Sequence, residues 1–162
     1  MNEVIYVNTG EVKLGTSHSI LNSGAIGSCV VVCMYDSLLK IGAMAHIMLP
    51  GVASAKEEMK TKYASNAILK LKELMNINGN QANQLETCMI GGANVLRRPS
   101  DTIATNNIES VEKLLDEHGI KVCIKATGGC ERRTADFNVE QGVIHYTTGD
   151  SEKKILWKTE RE

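Results

Sequence analysis

The sequence predicts an α+β fold, and three observations lead there. Strand-like segments outnumber helical ones. Helical segments do not alternate regularly with strands, as a doubly wound parallel sheet requires. The two strongest strand segments are apolar on both faces, so other layers must cover both sides. A length of 162 residues suits one domain spanning 1–162. Roughly the last ten residues read as a peripheral tail, where order usually fades.

The first strand expected is short, at residues 4–7. Two longer apolar runs, 29–35 and 41–49, are rich in Val, Ile and Met. A short link beginning at Asp36-Ser37 joins them, which is the spacing of a β-hairpin. A helix follows. Met59, Tyr63, Ala64, Ala67, Ile68, Leu71, Leu74 and Met75 recur at three- and four-residue steps, with Lys and Glu on the opposite, solvated face. Asn78-Gly79-Asn80 is its expected end. A strand at 85–90 runs into Gly91-Gly92. The second helix is expected to start at Asn106 or Asn107, with Asn106 and Glu109 at capping-box spacing. Its stripe is Ile108, Val111, Leu114 and Leu115. His118 falls in its last turn, suited to capping that end, and Gly119 fits a left-handed C-cap. Further strands are expected at 120–126, 133–138, 143–148 and 154–157.

Composition narrows the function classes. Eighteen Lys and Arg balance nineteen Asp and Glu. Nucleic-acid binders carry a basic excess or stripe, and neither is present. The most apolar stretch, 30–34, is far too short to span a bilayer. The N-terminal residues lack the basic and apolar regions of a secretory signal. Five cysteines cannot all pair within the chain. Together these features point to a reducing, cytoplasmic setting.

The chemistry concentrates in Ser23-Gly24-Ala25-Ile26-Gly27-Ser28-Cys29 and the hairpin that follows. Small residues before Cys29 permit close backbone approach to its thiol. A four-residue loop at 36–39 pairs Tyr35 with Lys40 and sets Cys29 directly opposite His46. Their Cβ atoms would then lie about 4.5–5.5 Å apart. An imidazolium beside a thiol lowers its pKa, and the imidazole then moves protons for a thiolate nucleophile. The plainer alternative is a buried Cys serving as a small hydrophobe. A metal set of Cys29, Cys33 and His46 is weaker, because four strand residues separate the two thiols by roughly 13 Å. Cys88 reads as core. Cys123 and Cys130 flank Gly128-Gly129 and are near enough in sequence to approach one another. Gly91-Gly92-Ala93-Asn94 fits no phosphate loop and reads as a tight turn or close packing.

These motifs resemble a known family, the chemoreceptor glutamine deamidases called CheD. The core of the resemblance is Gly27-Ser28-Cys29-Val30-Val31-Val32-Cys33-Met34-Tyr35-Asp36 together with Ile41-Gly42-Ala43-Met44-Ala45-His46-Ile47-Met48-Leu49-Pro50. Lys62-Tyr63-Ala64, Gly91-Gly92-Ala93-Asn94, Asn107, Gly128-Gly129 and Arg132-Arg133 extend it over about residues 3–148. The resemblance implies a cysteine hydrolase fold, a layered sandwich of mixed or antiparallel β-sheets with flanking helices. It implies Cys29 as nucleophile, His46 as general acid and base, and Ser23 where the family usually has Thr. Ser keeps the hydroxyl and loses the methyl that stiffens χ1. Asn22-Ser23-Gly24-Ala25 departs from the usual Thr-Leu-Gly-Leu, Ala104 replaces a Gly, and Asn106 replaces an Arg. The implied reaction is hydrolysis of receptor Gln to Glu and ammonia through a thioester, with no metal or organic cofactor. Implied partners are the cytoplasmic domains of methyl-accepting chemoreceptors and a CheC-type phosphatase, with no nucleic acid and no membrane insertion. Receptor methylesterase chemistry and a non-catalytic regulatory role are the alternative functions.

Overall fold

A computed structural model describes residues 2–77 and 84–160. Its strands are β1 (Glu3–Tyr6), β2 (Val12–Gly15), β3 (Ser19–Asn22), β4 (Val30–Asp36), β5 (Ile41–Ile47), β6 (Glu86–Gly91), β7 (Val122–Thr127), β8 (Arg133–Asn138), β9 (Val143–Thr148) and β10 (Lys154–Lys158). Its helices are α1 (Ala64–Leu74) and α2 (Ile103–Glu117), with one 3-10 turn at Lys60–Lys62 before α1. The strands form two mixed five-stranded sheets, in the orders β1-β3-β8-β9-β10 and β2-β5-β4-β6-β7. The architecture is an α+β layered sandwich: sheet, sheet, helices.

Sequence alternation in β4 and β5 builds two cores. Val30, Val32, Met34, Ala43, Ala45 and Ile47 face the helices and meet Ala67, Ile68, Leu71, Val111 and Leu115. Val31, Cys33, Tyr35 and Met44 face the other sheet and meet Leu21, Ala135, Phe137 and Ile144. Strand β4 is central in its sheet, so it has neither an edge nor a wet face.

The hairpin register differs from the sequence expectation by two residues. Asp36 pairs with Ile41 and closes a loop at 37–40, so His46 lies opposite Val31 rather than Cys29. The Asp36 carboxylate accepts the amides of Leu38 and Leu39, and Lys40 takes the left-handed position with φ 52°. An Asx turn of this kind makes Asp36 the last strand residue.

The two helices also shift. The first starts at Ala64, so Met59 and Tyr63 precede it. It ends at Leu74, and the Asn78-Gly79-Asn80 stop lies outside the described residues. The second starts at Ile103, a few residues before the Asn106 cap expected from sequence, and its first amide bonds the Asp101 carboxylate. Asn107 is therefore inside the helix and buried. At the far end Gly119 holds φ 70°, as the C-cap reading requires. His118 sits at that C-cap, and its Nδ1 accepts from Lys72 Nζ at 3.1 Å. Burial and the Lys72 charge push its pKa down, with Glu117 opposing. Strands β2 and β3 are additional to those expected. Within the C-terminal stretch, β10 pairs with β9, and Trp157 packs edge-on against Tyr35 and Phe137.

Candidate active site

The site forms where the chain crosses from β3 of one sheet to β4 of the other. Residues 23–29 make that crossing. Ser23 N bonds Ala135 O at 3.0 Å, and Ile26 and Arg133 exchange both backbone hydrogen bonds. The crossing is thus stitched to β8 before it reaches Cys29.

Glycines beneath Cys29 let two backbones touch. Gly92 N donates to Cys29 O at 2.7 Å, and Ala93 N donates to Gly27 O at 2.9 Å. Gly91 has φ 116°, and a Cβ there would collide with the Cys29 carbonyl oxygen and the Ile26 side chain. This is the close packing expected of Gly91-Gly92.

His46 projects from β5 into the space between the sheets and is 2% exposed. Its Nδ1 lies 3.0 Å from Val7 O. A carbonyl only accepts, so Nδ1 carries the proton and neutral His46 keeps its lone pair on Nε2. Nε2 is buried and has no hydrogen-bond partner. The His46 backbone is held by the same segment: His46 N donates to Glu11 O at 3.0 Å, and Gly10 N donates to His46 O at 2.8 Å. Burial pushes the His46 pKa below its ordinary value, with the Val7 and Ser23 carbonyls partly opposing that shift.

Between these anchors on Val7, Gly10 and Glu11 sits Thr9, whose hydroxyl interacts with the Cys29 thiol. Burial pushes the thiol pKa up; the Thr9 hydroxyl and the backbone N–H of Cys29 itself pull it part of the way back. Both shifts favour neutral forms. Neither shift favours the thiolate–imidazolium pair expected from the sequence.

Ser23 is 3% exposed, and its hydroxyl is fully engaged. It donates to Gly24 O at 2.8 Å and accepts from Ala135 N at 2.9 Å. The Ser23 influence on His46 comes from its main-chain carbonyl, which acts on the ring without completing a hydrogen bond at Nε2. Cys29 stands one residue before β4 and on the inter-sheet side, packed against the core that contains Val31. It is therefore diagonal to His46, and Nε2 remains free to receive a proton.

The other four cysteines are also free. Cys33 and Cys88 face each other across β4 and β6 in the core, and burial pushes both thiols up. Cys123 and Cys130 form no disulfide. Among the described residues, no group of three or more His, Cys, Asp or Glu side chains is placed to hold a metal, so Cys29, Cys33 and His46 do not assemble as ligands.

Thr9 and Asn107 are the two residues of this region that the sequence did not mark for a role at the site. Thr9 lies in a turn remote in sequence and carries no signal of its own. Asn107 does carry one: a polar residue four before Val111 in an apolar stripe.

A family model described as CheD chemotactic sensory transduction matches residues 48–148. The chain belongs to the CheD family. It is 40% identical over 154 residues to a Chlorobium luteolum protein named "Probable chemoreceptor glutamine deamidase CheD", covering 94% of this chain and 77% of the relative. It is 35% identical over 138 residues to the chemoreceptor glutamine deamidase CheD of Thermotoga maritima, covering 85% and 87%. The Halalkalibacterium halodurans protein of the same name is 34% identical over 162 residues, covering 96% and 100%. The family model begins past His46, and the matches to these relatives cover 85% to 96% of the chain. Among the described residues, no helix is long and apolar enough to cross a membrane.

Proposed function

We propose that this CheD-family chain hydrolyses glutamine side chains of chemoreceptors to glutamate, with Cys29 as nucleophile and His46 as proton carrier. The observation that carries the reading is the buried, unpartnered Nε2 of His46, its tautomer fixed by Val7, in a ring one diagonal step across the β4–β5 register from the partly exposed Cys29. The relatives' printed names supply the substrate class.

The chemistry starts from the neutral forms of both groups. The Cys29 sulfur attacks the amide carbon as His46 Nε2 takes the thiol proton. Backbone N–H groups beside the nucleophile, including that of Cys29, are suited to the oxyanion. Imidazolium then protonates the departing nitrogen, the C–N bond breaks, and ammonia leaves a thioester. Neutral His46 next takes a proton from water as the water oxygen attacks the thioester. The C–S bond breaks, the proton returns to sulfur, and glutamate is released. Ser23 supports His46 through its carbonyl and holds the crossing to β8 through its hydroxyl. No step calls for a metal or organic cofactor. The setting is the cytoplasmic part of a membrane receptor, and a CheC-type phosphatase is the further partner.

The test is incubation with receptor cytoplasmic domains, with mass spectrometry of Gln-to-Glu conversion and of methyl-ester loss. Conversion by the wild type and none by Cys29→Ala is expected. Ester loss without Gln conversion would replace deamidase with esterase chemistry. An inert wild type on competent receptors would sink both. Phosphatase stimulation surviving in Cys29→Ala would assign partner binding to a separate surface.

A further inference from the structure

The β4–β5 ladder ends at the pair Val30–Ile47. Both reactive residues lie at this end: Cys29 one residue before the pair, His46 one residue before Ile47. Past that rung the two segments no longer pair with each other, and each is held by other backbone partners, Cys29 O by Gly92 N and Met48 N by Lys62 O. Asn107 stands there. Its Nδ2 donates to Ser28 O at 2.9 Å and to Met48 O at 3.1 Å. One carboxamide thus joins the carbonyl preceding the nucleophile to the carbonyl two residues after the base.

We propose that Asn107 is a positioning residue, a side-chain rung that sets the separation of Cys29 and His46 where the ladder runs out. Its orientation is forced. Two carbonyls accept, so only the NH2 end can face them. Oδ1 is then left buried and without a partner, on a residue that is 0% exposed. An unpaired buried acceptor is unfavourable. That arrangement is consistent with a site where local stability is given up for geometry.

The helix that carries Asn107 is itself gripped around the site. Gly51 N donates to Ser110 Oγ at 2.9 Å, which ties the chain after β5 to α2. Ile108 packs on Gly92, whose N–H holds Cys29 O. A Cβ at Gly92 would drive into Ile108, so helix and glycine turn fit each other closely. The first half of α2 therefore touches the chain before the nucleophile, the chain after the base, and the turn beneath both.

Positioning matters because a displacement of about 1 Å costs about 100-fold in rate. The inference rests on the deamidase reading for its turnover readout, while its second readout does not. Asn107→Leu removes both donors; Asn107→Ser retains one and covers the case in which the leucine variant fails to fold. Val111→Ala on the same helix is the comparison for lost stability alone. Two quantities are measured: kcat and KM for receptor Gln, and the pH profile of iodoacetamide alkylation at Cys29, read by peptide mass.

Asn107→Leu is expected to lower kcat about 10- to 100-fold with KM within about twofold, and to shift the Cys29 alkylation midpoint upward. Asn107→Ser is expected between it and wild type. Val111→Ala is expected to lower the melting midpoint and leave kcat and the Cys29 profile unchanged. Unchanged kcat and alkylation profile in folded Asn107 variants would overturn the proposal. So would equal kcat losses in Val111→Ala and an Asn107 variant of matched stability. An inert wild type would remove the deamidase reading and leave the alkylation profile to judge Asn107.

Discussion

His46 links chemistry to pH at the residue scale. Burial holds its folded pKa below the unfolded value of about 6.5. In the window between those values the unfolded chain binds more protons, so stability rises with pH. The contribution is complete above the unfolded pKa and is lost as pH falls toward the folded pKa. The unfolding midpoint is therefore expected to drop on acidification from about pH 7.5 to about pH 5. In His46→Gln that drop should be smaller, as read by thermal denaturation; an identical drop would mean that other groups carry it. Thr9 acts on the partner atom. Its hydroxyl opposes the upward push on the Cys29 thiol. Thr9→Val is expected to move the alkylation profile of Cys29 to higher pH, with the fold intact by circular dichroism. A profile that stays in place would remove Thr9 from the site. The sequence singled out Cys29 and His46 through the glycine-flanked position of the thiol, the hairpin spacing and the family resemblance. It did not single out Thr9, since only the return of residues 7–11 over β5 brings its hydroxyl to the thiol.

Turn chemistry decided what was legible at the scale of elements. The apolar runs of β4 and β5 were plain, and the hairpin spacing placed Cys29 and His46 on one face. Their register was not plain, because the Asx turn at Asp36 moved the loop by one residue and every pair by two. An even shift preserves the face, which is why the two residues still share one although they are not directly opposed. Strands β2 and β3 are four residues each, too short for alternation to separate them from loops. The Gly91-Gly92 element yields a sharp expectation. Gly91→Ala forces a side chain into a positive-φ position and into the Cys29 carbonyl. Strain and overpacking together are expected to destabilise the protein by about 3 kcal/mol or more. Activity should fall below what the folded fraction accounts for, because the displaced carbonyl belongs to Cys29, the proposed nucleophile. Activity that tracks the folded fraction would show that the turn supports stability alone.

The two sheets of the whole molecule are held together by an aromatic-poor core, and three rings carry a large share of it. Phe137 of β8 is fully buried. Tyr35 of β4 meets it edge-on with centroids 5.7 Å apart, and Trp157 of β10 meets Tyr35 at 5.6 Å and Phe137 at 6.4 Å. Tyr35 belongs to one sheet and the other two rings to the second, so the cluster is an inter-sheet clasp at the hairpin end of β4. The C-terminal stretch closes it. Thr159 N donates to Gly142 O at 2.8 Å, and Thr159 Oγ1 donates to Glu86 Oε1 at 2.8 Å. In sequence alone, roughly the last ten residues read as a peripheral tail, with a strand at 154–157 within it. Pairing with β9 and the packing of Leu156 and Trp157 on the inter-sheet core tie it to the fold, and local pattern does not reveal those distant partners. Trp157→Ala is therefore expected to cost about 2 kcal/mol, less than a fully buried aromatic because the ring is partly exposed. Removing residues 154–162 should cost more, since it also strips the β9 ladder of its partner. Chemical denaturation of both variants checks this. The Cys29 alkylation profile should stay at its wild-type position in the folded state, because the clasp and the thiol lie at opposite ends of β4. A changed profile would mean that the sheets pivot as one body about their shared core.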